Sequence, residues 1–293
     1  MGLSSRIKNK FTSVIEQSGF SVASSFEMTA WTCKLKLSSR HQEFGGGTYI
    51  HYITQFLLLL LAMRKYKHIF FDLDRTIWDF DASAEDSFSS MYYKYNLKER
   101  GVPSVEAFKQ HYDIHNDLLW SWYRKGEILK EVLNMRRFEM TMADFNIHDH
   151  SIYIGMSEDY IQLNPDKAFL FPGAIETLEY LAPKYPMHII TNGFQEVQEQ
   201  KFRIASLGRY FKTVTTSEEA GIKKPEPGIF HYALNKGNAI AQESIIIGDD
   251  LAVDIIGGRD IGMDQVYFNP GAEKHEEEVT FEIACLTELK EIL

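Results

Sequence analysis

From Tyr66 onward, apolar and polar positions fall into a regular order. His68-Ile69-Phe70-Phe71 is a short apolar run that stops at Asp72-Leu73-Asp74, as a buried strand of a parallel sheet does. Residues 83–162 then carry helical spacing with no strand pattern between. Ser104 follows Pro103 as an N-cap, and Val105, Phe108 and Tyr112 recur at helical intervals. Residues 127–147 form a second clear helical stretch. After Pro172-Gly173 helices and strands alternate. The pattern predicts a helix over 174–182, a strand over 187–190, a helix from about Phe194 and a short strand near Val214. A helix near 229–235, a strand over 244–247, a helix from Leu251 and a strand over 265–268 follow. Such alternation predicts an α/β fold, a Rossmann-like parallel sheet covered on both faces. The helical block is then an insertion after the first strand: core 63–78, helical cap 79–168, core 169–293.

Composition separates the first 62 residues from the rest. They hold nine Ser, no Asp and no Pro, with six Lys/Arg against three Glu, a net +3. The remainder holds 25 Lys/Arg against 38 Asp/Glu, a net −13. The apolar run from Phe56 to Met63 is far shorter than the ~20 residues of a membrane helix. No stable membrane insertion is expected. Residues 1–62 read as a disordered or non-native extension ahead of a natural start at Met63. An organelle transit segment is the other reading their composition allows, and a membrane anchor is a third. The overall charge of −10 argues against a nucleic-acid partner, since polyanions are held by Lys and Arg. It leaves room for a small phosphate ligand beside a metal ion. Cys33 and Cys285 alone build neither a disulfide framework nor a zinc site, so a cytoplasmic setting is expected.

Ligands of open α/β sheets bind at the carboxyl ends of the strands. Four such places carry suggestive groups: Asp72-Leu73-Asp74-Arg75-Thr76, Thr191-Asn192-Gly193, Lys223-Lys224-Pro225, and Gly248-Asp249-Asp250 with Asp254 beyond. Each alone reads as a solvated turn, a glycine turn, a surface loop or a helix N-cap. All four together, in this order and at these places, are a joint signal that chance turns do not explain.

The combination resembles the haloacid dehalogenase superfamily of phosphohydrolases over roughly residues 66–270. The placement of the helical block resembles its helical-cap class. The resemblance implies a phosphomonoesterase working through an aspartyl-phosphate, with Mg2+ as cofactor. Asp72 would be the nucleophile and Asp74 the general acid/base. Asp72, Asp249 and the backbone carbonyl of Asp74 would hold the metal. Thr191, with Asn192 and Gly193 beside it, would bind the phosphoryl group. Lys224, preferred over Lys223 because it directly precedes proline, would neutralise developing charge. Asp250 and Asp254 would support the metal water or Lys224.

Asp74 speaks for phosphate chemistry over dehalogenation, and the Asp-Lys-Thr-Gly signature of ion pumps is absent. Trp78-Asp79-Phe80, Thr191-Asn192-Gly193-Phe194 and a downstream glutamine (Gln195, Gln198 or Gln200) resemble the pyrimidine 5′-nucleotidase group. That implies a nucleoside monophosphate as the small phosphate-ester substrate. Arg75 and Asp250 depart from that group, which often has His and Ser there. A sugar-phosphate phosphatase or phosphomutase would use the same core, and a non-catalytic phosphate-binding module is the reading from another class. Trp78 and Phe80 are expected to line the pocket. Of Trp120, Trp122 and Tyr123, at least two are expected in the cap's own core. His111 and His115 lie four apart on one helix but have no third ligand in the sequence pattern.

Overall fold

The computed structural model describes residues 65–163 and 167–293. The expectations for residues 1–62 therefore lie outside the described residues. Six strands form one parallel sheet in the order β3-β2-β1-β4-β5-β6. They are β1 His68–Phe71, β2 Met187–Thr191, β3 Phe211–Thr216, β4 Ser244–Gly248, β5 Asp264–Phe268 and β6 Phe281–Ile283. Helices α1 Phe80–Lys94, α2 Val105–Arg124, α3 Lys130–Asp144 and α4 His150–Leu163 follow β1. Helices α5 Ala174–Leu181, α6 Gln195–Ile204 and α7 Pro227–Lys236 connect the later strands. After β4 a wide π-type turn, Leu251–Ile255, runs into α8 Ile256–Asp260.

The central strands are apolar on both sides because helices cover both. Phe70, Ile190 and Ile246 point to one face and pack with Ile229, Phe230 and Leu234 of α7. Their neighbours Ile69, Phe71, Ile189, Ile245 and Ile247 point to the other and pack with Leu178 and Leu181 of α5. This is the two-residue alternation of a strand. The edge strand β6 was not predicted: three residues, Phe281-Glu282-Ile283, are too short to show a period. Among the described residues no helix is long and apolar enough to cross a membrane.

The insertion has its own aromatic core, in which Phe88, Phe108, Tyr112, Phe138 and Tyr160 are buried. Ser104 caps α2 as its sequence predicts, accepting from Ala107 N at 3.2 Å. The chain enters and leaves this helical block at one point, where Asp79 N donates to Phe169 O at 3.0 Å. A smaller cluster joins the block to α6: Leu119, Tyr123 and Leu133 pack with Phe194, and Trp120 and Val197 lie against them. Lys130 of α3 adds ion pairs to Glu196 at 2.7 Å and Glu218 at 2.9 Å.

Candidate active site

In register, Phe71 lies level with Ile189 of β2 and Ile247 of β4. The residues that follow these three positions therefore emerge together at the carboxyl end of the sheet. Asp72 N donates to Ile247 O at 2.9 Å, which holds Asp72 in line with the strands. The chain then folds back over buried Leu73, whose carbonyl accepts from Ile77 N at 3.0 Å and Trp78 N at 2.8 Å. Arg75 takes the left-handed turn this requires, at φ 60°.

Lys224 is buried, and its ammonium donates to Asp72 Oδ1 at 2.5 Å and Asp254 Oδ1 at 2.6 Å. Lys223 instead lies over the Tyr123 ring, 4.3 Å from its centre. Of the two lysines, only Lys224 meets the carboxylates. Asp72, Asp249 and Asp254 each bring an oxygen within 4.8 Å of the others. Thr76 Oγ1 donates to Asp249 Oδ1 at 3.1 Å.

Charge at this cluster is out of balance. Burial pushes Asp72 above the usual carboxylate range; Lys224 opposes the shift, while Asp254 and Asp74 add to it. Burial likewise lifts Asp249 well above that range, with Asp72 and Asp254 adding to it. Asp254 is raised by burial against the pull of Lys224. Burial works to lower Lys224, but Asp254 and Asp72 outweigh it and the net shift is upward, so the ammonium stays charged. Asp72 and Asp254 thus share one buried cation, with a third carboxylate, Asp249, close beside them. Hard oxygen donors this close, with excess negative charge, suit a small divalent cation.

Asp74 stands apart from that cluster and has its own partners. Buried Lys201 donates to its Oδ1, and Gln198 Nε2 donates to its Oδ2 at 2.7 Å. Gln198 Nε2 also lies 3.3 Å from Thr191 Oγ1. Gln198 was one of three glutamine candidates. Lys201 was missed, although residues three apart on a helix share a face and the helix begins beside Thr191-Asn192-Gly193.

The other expected residues have partners that the sequence does not show. Asn192 was expected near the phosphoryl group. Both ends of its side-chain amide hold the Lys224 backbone, accepting from Lys224 N at 2.8 Å and donating to Lys224 O at 2.9 Å. Gly193 N donates to Thr191 Oγ1 at 3.0 Å, which leaves the Thr191 hydroxyl hydrogen available to an acceptor. Gly193 provides close approach: a Cβ there would collide with the Gln198 amide and lie 3.2 Å from Asp74 Oδ2. Asp250 is the N-cap of the following helical turn, accepting from Ala252 N and Val253 N, each at 3.0 Å. Trp78 is fully buried in the sheet's core cluster and does not line the pocket. Its indole supports Lys201, whose Nζ lies 5.4 Å from the ring centre. Phe80 is at the pocket wall. Arg75 pairs with Asp81, Nη2 to Oδ1 at 3.0 Å, and rests over the Phe80 ring at 4.9 Å. His111 and His115 both meet Asp144 Oδ2, at 2.7 and 2.8 Å, tying α2 to α3.

Gly193→Ala tests the close approach. The new methyl should displace Gln198 from Asp74 and lower kcat/KM about 10–100-fold, the scale of a roughly 1 Å misplacement. Steady-state kinetics checks it; an unaltered rate would mean that Gln198 does not hold Asp74 in the working enzyme.

The family model for haloacid dehalogenase-like hydrolases matches residues 66–262. The chain belongs to that family. Its relatives include the pyrimidine 5′-nucleotidase YjjG of Escherichia coli, 30% identical over 78% of this chain and 98% of that protein. The glyceraldehyde 3-phosphate phosphatase of Pyrococcus furiosus is 31% identical over 79% of this chain and 93% of that protein. Among solved structures, magnesium-bound YfnB from Bacillus subtilis is similar, with a TM-score of 0.71 and 27% identity. It covers 78% of this chain and 98% of its own. The described site brings together a buried Asp72–Lys224–Asp254 triple, Asp249 beside it, and a separately held Asp74.

Proposed function

We propose that this hydrolase is a phosphomonoesterase for pyrimidine nucleoside monophosphates. Asp72 Oδ attacks phosphorus, and the bond to the ester oxygen breaks. Asp74, carrying a proton, delivers it to that oxygen, and the nucleoside leaves. In the second half Asp74 takes a proton from water, the water oxygen attacks phosphorus, and the Asp72–phosphorus bond breaks to release phosphate. Lys201 and Gln198 keep Asp74 in place for both transfers. Lys224 and the Thr191 hydroxyl stabilise the negative charge on the phosphoryl oxygens. Asp72, Asp249 and the Asp74 carbonyl would hold Mg2+, with Asp254 within reach of the same cluster. The ion supplies further charge neutralisation when bound.

The observation that carries the nucleotide reading is the wall of the pocket above Asp74. Phe80, Trp120 and Phe194 line it, and the Trp120 and Phe194 rings stack at 5.4 Å and 21°. Aromatic faces of this kind hold nucleobases. The similarity to YjjG supports the same substrate class, and the similarity to the Pyrococcus enzyme keeps small sugar phosphates as the competing one. With Mg2+ present, we expect phosphate release from dUMP, dTMP and dCMP at kcat/KM above that for glyceraldehyde 3-phosphate. Release from the triose phosphate and from no nucleotide would transfer the proposal to sugar phosphates.

A further inference from the structure

Arg137, on α3 of the cap, has no role in the chemistry above, yet it lines the same pocket as Asp74. Its side chain is 4% exposed. Among the described residues it makes no ion pair: Nη2 donates to Asn134 Oδ1 at 3.1 Å and Nη1 approaches Asn116 Oδ1 at 3.5 Å. The guanidinium lies 4.7 Å from the centre of the Tyr160 ring. Its Nε is buried without a hydrogen-bond partner.

A buried charge balanced only by neutral groups is costly, and an unsatisfied buried donor needs an explanation. The two asparagine oxygens and the Tyr160 face fix the plane of the guanidinium. Among the described residues, two of its five N–H groups are engaged, and the rest, that on Nε included, have no partner on this residue of the pocket wall. Guanidinium only donates, so the missing partner is an acceptor. Asp74 does not supply it here: its partners are Lys201 and Gln198, and Arg137 Nε meets no acceptor. The aromatic residues Phe80, Trp120 and Tyr160 line the pocket with it. A flat ligand group that bears a carbonyl oxygen would match both the aromatic lining and the missing acceptor.

We infer that Arg137 is the residue that reads the leaving group, donating from an unused guanidinium N–H to a ring carbonyl oxygen of the substrate. This rests on the nucleotidase reading. A uracil or thymine ring offers a carbonyl at the position where cytosine carries an amino donor. A donor-only reader aimed at that position favours the former. Lysine cannot replace the fork, because its ammonium has no fixed plane.

The test is kcat/KM for dUMP, dCMP and phenyl phosphate with Mg2+, for wild type, Arg137→Met and Arg137→Gln. Phenyl phosphate has a flat leaving group without an acceptor. Arg137→Met should lower kcat/KM for dUMP about 10–100-fold, the scale of a hydrogen bond to a charged group. The change should fall chiefly in KM, and the loss on phenyl phosphate should be at least about tenfold smaller. Glutamine both donates and accepts, so Arg137→Gln should bring the dUMP-to-dCMP ratio toward one. Each ratio is taken within one preparation, so partial misfolding cancels. Equal losses on dUMP and phenyl phosphate would place Arg137 on the phosphoryl group and overturn the inference, as would an unchanged dUMP-to-dCMP ratio in Arg137→Gln. A wild type inert on both nucleotides but active on phenyl phosphate overturns the nucleotidase reading first, and this inference with it.

Discussion

Asp72→Asn should lower phosphate release by about 10⁴-fold or more, as removal of a catalytic nucleophile does, without lowering the melting temperature in metal-free buffer. Asparagine fills the same volume, and its Oδ1 can still accept from Lys224, which now donates at 2.5 Å. What disappears is one of three carboxylates whose oxygens lie within 4.8 Å of one another. Burial and mutual repulsion already push Asp72 and Asp249 above the usual carboxylate range. Removing one negative charge relieves that repulsion, so stability in the absence of metal should hold or rise. Added Mg2+ should then raise the melting temperature less than in the wild type, because a ligand has been lost and stabilisation by a ligand follows its affinity. The two readouts separate the rival classes. A phosphate-binding module would show no turnover to lose, and residual release near wild type would remove Asp72 from the nucleophile's role.

The strand ends are legible in the sequence because a parallel strand announces itself as an apolar run and its end as the first polar group. Asp72 and Asp249 sit at such ends, and Thr191 closes β2. Lys224 is readable through the proline that follows it. Lys201 is not, because a lysine in the polar stretch Gln195–Ile204 looks like any solvated helix residue; only the fold turns it inward onto Asp74. The side-chain partner of Asn192 is hidden for a related reason. Its place beside Thr191 is visible, but its side-chain direction, toward the Lys224 backbone, depends on a loop 32 residues away in sequence. Trp78 fails through distance along the chain: two residues past Thr76 it is already back in the core. Cap residues carry the weakest signal. Arg137 lies in a helix with the ordinary spacing of buried positions, and nothing in that spacing says its charge is buried too.

Lys224→Met should abolish turnover and also destabilise the fold, by about 3–5 kcal/mol in metal-free buffer, the scale for removing one partner of a buried ion pair. Lys224 is shared by two buried carboxylates, at 2.5 Å and 2.6 Å, and methionine offers neither. Burial already raises Asp72 and Asp254 while Lys224 pulls both down. Without the ammonium the pair must take up a proton or repel. A divalent cation can restore part of the balance, because Asp72 and Asp254 belong to the same oxygen cluster as Asp249. Mg2+ should therefore raise the melting temperature more in Lys224→Met than in the wild type, opposite to the trend expected for Asp72→Asn. Activity should stay lost, because in the proposed mechanism the ammonium also stabilises the phosphoryl oxygens. The neighbouring Lys223→Met is the control. It loses only a contact with the Tyr123 ring at 4.3 Å, on the order of 0.5–1 kcal/mol, and should keep turnover. Differential scanning fluorimetry across a Mg2+ titration reads all three variants. Equal behaviour of the two lysine variants would mean that the charge shared between Asp72 and Asp254 does not hold this site together.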